Sequence, residues 1–79
     1  MLARSTPENG DVVVQPEKRE GERVYVLHTA PGPDQSVLRS RGEAVTQAVT
    51  SAKREHVRAW LTDDYDFVLL EDFRVVESV

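Results

Sequence analysis

The chain has 79 residues, of which 39% are hydrophobic and 30% are charged, and its formal net charge is −4. This length allows one small domain, and the composition excludes a membrane span and a disordered acidic tail. The chain contains no cysteine, which excludes disulfides and thiolate metal sites. Because such a small domain buries a limited core and has no covalent crosslink, we expect self-association to stabilise it.

The charged residues are distributed unevenly along the chain. Residues 39–58 contain five basic and two acidic residues, a net charge of +3, whereas residues 62–79 contain one basic and six acidic residues, a net charge of −5. Opposite charges on neighbouring segments favour an internally paired or self-complementary surface. The acidic total argues against a nucleic-acid-binding protein, because phosphate contacts need an excess of positive charge.

The beginning of the chain lacks the apolar core of a signal peptide, and no apolar run is long enough for a membrane helix. We therefore expect a cytoplasmic protein without membrane contact. Arg outnumbers Lys eight to two and Ile is absent, while Val occurs 13 times. This bias is typical of a GC-rich bacterial genome, and the many Val residues favour strands.

A hairpin is predicted at the start of the domain. Residues 11–15 contain three consecutive Val residues and are too few for a helix, so they indicate a strand. Pro16 indicates that this strand ends there or lies at a sheet edge. The charged residues 17–22 then form a turn, and residues 23–29 form the second strand of the hairpin.

A third short strand is predicted at residues 35–39, after a turn rich in proline at residues 30–34. The polar start of the chain, with Pro and an Asn-Gly pair, is typical of a frayed terminus. The predicted domain boundaries are residues 1–10 for a flexible N-terminus, residues 11–74 for a single domain and residues 75–79 for a C-terminal tail.

One helix is predicted from a capping box and a narrow apolar stripe. Ser40 and Glu43 have the spacing at which the hydroxyl accepts from the amide three residues on, while the carboxylate reaches back. Lys53 and Arg54 follow in the last turn, where cations suit the helix dipole. The stripe has helical spacing and small side chains, so the helix should lie close to a sheet. It consists of Ala44, Val45, Ala48, Val49 and Ala52.

Two interpretations remain open after Glu55. Residues 56–62 form either a strand or a continuation of the helix, and the closely spaced Val, Trp, Leu and Thr residues favour the strand. The acidic residues 63–66 are then a turn, and residues 67–70 form a last strand. The predicted fold class is α+β, with a mainly antiparallel sheet of four to five strands and one helix packed on one face.

Four segments together resemble a known pattern: Val12-Val13-Val14 in the hairpin, Ser40-Arg41-Gly42-Glu43-Ala44 at the helix start, Ala52-Lys53-Arg54-Glu55 at the helix end, and the apolar strand that follows. With this order of elements, the chain resembles a group of small uncharacterised bacterial domains, the domain-of-unknown-function family numbered 2188. The resemblance extends over residues 11–74 and implies a fold but no activity.

No catalytic, cofactor or metal site is predicted. His28 and His56 are the two imidazoles, and a hydrolase would need one of them beside a nucleophile such as Ser36 and an acid such as Asp34. None of these residues lies in a recognisable motif. The acidic residues 63–66 lack the ligand spacing of a calcium loop. We therefore expect a protein that is not an enzyme and has no cofactor, with a small hydrolase as the most distant alternative.

A second apolar sheet face is predicted behind the helix-covered face. Side chains alternate along a strand, so Arg58 and Trp60 should project away from the helix if their neighbours face it. One helix covers one face only, so a second apolar face remains to be hidden by a partner, unless it only carries a few exposed apolar side chains of no consequence. The interface residues that we predict are Tyr25, Leu27, Arg58, Trp60 and Val68.

The predicted function is a small, non-catalytic, self-associating module for protein interaction or accessory regulation, most simply a homodimer with a possible protein partner. The alternative is a module that binds single-stranded nucleic acid. In that case Trp60 and Tyr25 would stack on bases, while Arg58, Arg54 and Arg39 would contact phosphates. The sequence does not indicate a pathway or the identity of a partner.

Overall fold

Five strands and one helix form the part of the chain that this computed structural model describes, which comprises residues 6–30, 32, 34–63 and 66–75. The elements in chain order are β1 (Val12–Arg19), β2 (Glu22–Thr29), β3 (Asp34–Leu38), α1 (Arg41–Glu55), β4 (Arg58–Asp63) and β5 (Asp66–Asp72). Residues 1–5 of the predicted flexible N-terminus and residues 76–79 of the predicted tail lie outside the described residues. No helix in the described ranges is long and apolar enough to cross a membrane.

The strands form one five-stranded sheet in the order β3-β2-β1-β4-β5, with helix α1 packed on it. This confirms the α+β class with one helix. Three of the neighbouring pairs are antiparallel, but β1 and β4 at the centre are parallel. The sheet is therefore mixed rather than purely antiparallel. The parallel pair arises because α1 carries the chain across the sheet before β4 begins, which a hairpin connection could not do.

The hairpin between β1 and β2 is tighter than the sequence predicts. Both strands extend into the charged segment, and Arg19 pairs with Glu22 around a loop of two residues. Glu20 and Gly21 have φ angles of 50° and 81°, as a type I′ hairpin turn requires. Pro16 lies within β1, but the pairing of β1 with β4 ends at Val14. Beyond Val14, β1 does not pair with β4, so no hydrogen bond to β4 is lost because proline lacks an N–H.

Helix α1 begins and ends as its capping residues dictate. The Ser40 hydroxyl accepts a hydrogen bond from the Glu43 amide at 3.1 Å. The helix ends at Glu55, and the next residue, His56, adopts a left-handed conformation with φ 57° and donates its backbone N–H to the Ala52 carbonyl. The strand interpretation of the following segment is therefore confirmed, with β4 starting at Arg58, and the continued helix is wrong.

The left-handed His56 predicts a stabilising substitution. This conformation costs an L-residue roughly 1–2 kcal/mol, and glycine largely avoids that cost. We expect His56→Gly to raise the free energy of unfolding by about 1 kcal/mol in urea denaturation. His56→Ala is the matched control because it keeps the strained backbone. Equal denaturation midpoints for the two variants would contradict the prediction.

The core lies between the helix and the sheet face that it covers. Three alanines of α1 are fully buried, which lets the helix approach the strands closely. We call this face the helix side and the opposite one the back face. The buried residues of the helix side are Val12, Val14, Leu27, Ala44, Ala48, Ala52, Ala59 and Leu61. Alternation along β1 and β4 then places Val13 and Trp60 on the back face, where they are paired across the two strands.

Candidate interaction surface

The five predicted interface residues do not share one surface. Leu27 is buried in the helix-side core, and Tyr25 is half-buried against that core. Val68 pairs with a helix-side residue of β4 but is exposed. Arg58 and Trp60 lie on the back face, as the alternation predicts, yet both are buried within a single chain.

Arg58 and Trp60 are buried by contacts within the chain, and the Asp11 carboxylate binds both side chains. Asp11 is 2% exposed, and its Oδ2 accepts hydrogen bonds from Trp60 Nε1 at 2.9 Å and Arg58 Nε at 3.0 Å. The same Oδ2 accepts from the Glu8 amide at 2.9 Å, and Oδ1 accepts from the Arg58 backbone amide at 3.1 Å. One carboxylate therefore joins the segment before β1 to the start of β4.

The Trp60 ring is covered by two further side chains. The Arg58 guanidinium carbon lies 4.8 Å from the ring centroid, and the Phe67 ring meets Trp60 edge-on, with centroids 6.3 Å apart at 81°. Trp60 is consequently 1% exposed. A ring in this state offers no face to a nucleotide base, and the charge of Arg58 is taken up by Asp11. Of the residues in the nucleic-acid alternative, Trp60 and Arg58 are therefore engaged inside the fold, whereas Arg39 and Arg54 are exposed.

The described part of the predicted flexible N-terminus is held against the sheet. Gly10 donates its amide to the Ala30 carbonyl at 2.8 Å. The Arg58 side chain reaches two earlier residues, donating to the Thr6 carbonyl at 3.2 Å and forming an ion pair with Glu8 at 3.4 Å. Residues 6–11 thus partly close the back face that sequence reasoning left uncovered.

Asp11 is the central residue that sequence reasoning missed. Burial raises the pKa of its carboxyl, but hydrogen bonds from the Glu8 amide, the Trp60 ring and the Arg58 amide, with the Arg58 charge, outweigh burial and hold the pKa below its usual 3.8. The only sequence signal is an acid directly before an apolar strand. That signal does not reveal the partners in β4, which follow 47 and 49 residues later.

The lowered pKa of Asp11 predicts a loss of stability in acid. Its pKa in the folded chain lies below the unfolded value, so the carboxylate stabilises the fold above that value, and the contribution is lost as pH falls through the folded pKa. We expect the free energy of unfolding to fall as the pH decreases below about 4, and to fall less in Asp11→Asn. Asp72→Asn should also reduce the pH dependence, because the pKa of Asp72 is lowered to about 2, so Asp11→Asn is made both in wild type and in the Asp72→Asn background and should reduce the dependence in each. Urea denaturation at stepped pH measures this, and equal slopes for wild type and Asp11→Asn would contradict it.

The most exposed apolar side chains within the strands lie on β5 and β3. Phe67, Val68 and Leu69 are consecutive in β5 and are 40%, 45% and 46% exposed. Strand β5 pairs with β4 on one side, and no described strand pairs with its other side. We call these three residues the β5 apolar edge. On the opposite edge of the sheet, Val37 of β3 is 48% exposed.

Acidic residues stand at both ends of the β5 apolar edge. Asp66 begins the strand, and Glu71 and Asp72 end it; all three are exposed. Arg74 binds Asp72 through two nitrogens, at 2.8 Å and 3.0 Å, and these hydrogen bonds lower the pKa of Asp72 to about 2. The surface is therefore an apolar centre with acidic ends.

Of the residues of the hydrolase alternative, His28 and Asp34 are paired across β2 and β3, but Ser36 is not brought to His28. His28 lines an open back-face groove of about 320 Å³, together with Gln15 and Phe67. Ser36 pairs with Leu27, whose side chain lies in the helix-side core. His56 is exposed at the helix end. Within the described residues there is no group of three side chains suited to a metal ion.

Comparison with known proteins adds no family to this description. Neither the known protein families, nor curated proteins, nor solved structures contain a match to this chain. The resemblance to the domain family numbered 2188 therefore stays a prediction.

Proposed function

We propose that the chain is a small, non-catalytic protein-interaction module in which the β5 apolar edge takes up an additional strand. The observation that carries this proposal is the run of three apolar side chains, each at least 40% exposed, on a strand that no other described strand pairs with on one side. Such an edge presents backbone N–H and C=O groups to a further strand, while its side chains gain by leaving water.

The proposed interaction surface is centred on β5 rather than on Arg58 and Trp60, because the exposed apolar area lies on β5. Trp60 and Arg58 are buried within the chain, so a partner there would gain little additional burial. Phe67 and Leu69 still expose part of their side chains on the back face, and Val68 does so on the helix side. A strand added to β5 would contact both sides at once. Either a second copy of the chain, as expected from its size, or another protein could supply that strand.

A non-catalytic role is supported by the distribution of the nucleophile and base candidates. Ser36 pairs with a helix-side residue, whereas His28 lines the back face. These two side chains therefore lie on opposite faces of the sheet and do not form the hydrogen-bonded pair that nucleophilic catalysis requires.

A pair of lysine substitutions tests the proposed surface. Val68→Lys places a charge on the β5 apolar edge, and Val37→Lys does the same at an equally exposed position on the other edge strand. Panning of displayed linear peptides and sedimentation across a dilution series would measure binding to peptides and to a second copy. We expect association that Val68→Lys weakens about tenfold or more and that Val37→Lys retains.

The two variants are first compared with wild type by circular dichroism and thermal unfolding, because surface substitutions should change stability by only about 0.5 kcal/mol. A wild-type chain that stays monomeric and selects no peptide dependent on Val68 would contradict the proposed function. Equal losses in both lysine variants would show that association does not use β5.

A further inference from the structure

The outer end of the β1–β2 hairpin extends beyond the neighbouring strands of the sheet. Strand β4 pairs with β1 as far as Val14, and β3 pairs with β2 from Tyr25 onward. Residues 17–24 therefore pair with each other and with no other described strand. We call this segment the hairpin tip. Residues 18–23 within it are all exposed.

Lys18 and Arg23 form a pair of cations on the helix side of the hairpin tip. Side chains alternate along a strand, and Val14 and Leu27, four positions away on the same two strands, lie in the helix-side core. Lys18 and Arg23 are therefore on the helix side as well. The register places them directly opposite each other.

The hairpin turn brings these two side chains close together. In a two-residue turn the flanking residues, here Arg19 and Glu22, form a hydrogen-bonded pair. The next pair, Lys18 with Arg23, is then of the type without hydrogen bonds, in which opposite side chains approach most closely. Like charges directly opposite each other destabilise a sheet. The fold thus contains a cation pair that lowers its own stability.

Within the described residues, no acidic side chain forms an ion pair with Lys18 or Arg23. Alternation places Glu17, Arg19 and Glu22 on the back face of the hairpin tip instead. There Arg19 binds the Glu17 carboxylate at 3.3 Å. The helix side of the tip therefore presents two positive charges to solvent, whereas the acids of its strands face the other way.

Two further groups suited to an anion lie at the same end of the sheet. Tyr25 follows Arg23 on the helix side, and its hydroxyl can donate a hydrogen bond. Leu38 pairs with Tyr25, and Arg41 begins α1 three residues later, a distance of at most about 11 Å along the chain. The first turn of α1 also contains Glu43. This end of the helix side thus carries three cations and one acid.

We propose that the helix side of the hairpin tip binds a phosphomonoester group, which carries two negative charges. Lys18 and Arg23 supply two adjacent positive charges, and a guanidinium can bind two phosphate oxygens at once. The bound group would also remove the repulsion between the two cations. One cation pair matches one compact dianion, whereas a long polyanion would be repelled by the net charge of −4. This site is separate from the β5 apolar edge.

Titration with two small anions tests this proposal. Phenyl phosphate at about pH 8 is a dianion, and benzenesulfonate carries the same ring with a single negative charge. Binding is measured from backbone amide chemical shifts of the nitrogen-15-labelled chain. We expect saturable changes at residues 17–24, with an affinity for phenyl phosphate about tenfold or more above that for benzenesulfonate. Equal affinities, or changes confined to other residues, would overturn the proposal.

Three charge-removing variants locate the site. Lys18→Gln and Arg23→Gln should each weaken phenyl phosphate binding about fivefold or more. Lys53→Gln removes an exposed cation from the other end of α1 and should keep the wild-type affinity. An equal loss in Lys53→Gln would show that overall charge attracts the anion, and the proposal would be overturned.

Lys18→Glu links the site to the stability of the hairpin. It replaces two like charges by an opposite pair, so we expect a higher urea midpoint than in wild type together with loss of phenyl phosphate binding. A lower midpoint would show that Lys18 supports the fold rather than a ligand, and would overturn the proposal.

Two longer probes identify the source of the phosphoryl group. A peptide with one phosphoserine that binds more tightly than phenyl phosphate indicates a phosphorylated protein, and one that binds equally or more weakly indicates a small molecule; both keep the phosphomonoester. Single-stranded oligothymidylate has phosphodiesters, each with one charge. If it binds through Lys18 more tightly than phenyl phosphate does, the ligand is a nucleic acid and the proposal is overturned.

Discussion

Replacing Asp11 with Ala is expected to lower the free energy of unfolding by about 3–5 kcal/mol, because it leaves the buried Arg58 charge without its partner. The substitution also removes the acceptor for Trp60 Nε1 and for two backbone amides. A domain of this length has a total stability of roughly 4–12 kcal/mol, so the variant should be close to unfolding at room temperature.

Asp72→Ala is the matched control for this prediction. Asp72 also binds an arginine, at 2.8 Å, but the pair is exposed to solvent, which screens it, so Asp72→Ala should cost far less than Asp11→Ala. Urea denaturation of both variants compares a buried with an exposed Asp–Arg pair in the same chain. If Asp11→Ala cost no more than Asp72→Ala, the carboxylate would not hold the back face together.

The elements predicted well from the sequence are those that depend on neighbouring residues. The capping box of Ser40 and Glu43 and the alanine stripe depend on contacts within one helix, and both are confirmed. The alternation that places Arg58 and Trp60 away from the helix is a property of a single strand, and it is confirmed as well.

The features that were missed depend on residues far apart in sequence. The parallel pairing of β1 with β4 brings together residues separated by 47 positions, and local patterns carry no signal for it. For the same reason, the bond between Asp11 and Trp60 was not predicted. Counting the apolar residues on each face showed that the back face needed a cover, but not that residues 6–11 supply part of it.

Because residues 6–11 cover part of the back face, a partner protein would gain more by binding at another surface. We included Trp60 in the predicted interface because large aromatic residues are enriched at interfaces. The large apolar area of Trp60 also stabilises a small core when the ring is buried, and Asp11 accepts the hydrogen bond from its Nε1. What remains exposed are smaller apolar residues of β5, of which the predicted interface contained Val68.

Replacing Trp60 with Ala distinguishes these two roles. As a core residue, Trp60 should cost about 3–5 kcal/mol of unfolding free energy when truncated, because the removed ring leaves a cavity beside Val13 and Phe67. As an interface residue, it would leave the stability of the monomer almost unchanged and weaken association instead. Urea denaturation at a concentration where the chain is monomeric measures the first effect alone.

Trp60→Phe separates the ring from its hydrogen bond. This variant keeps most of the aromatic packing and loses only the Nε1 donor to Asp11, so it should cost about 1–3 kcal/mol, less than Trp60→Ala. Combined with Asp11→Asn, the two effects should not add, with a coupling of about 0.5–3 kcal/mol, since both changes affect one hydrogen bond. Additive effects would show that the Asp11–Trp60 bond contributes nothing to stability, and that the ring is held by packing against Arg58 and Phe67.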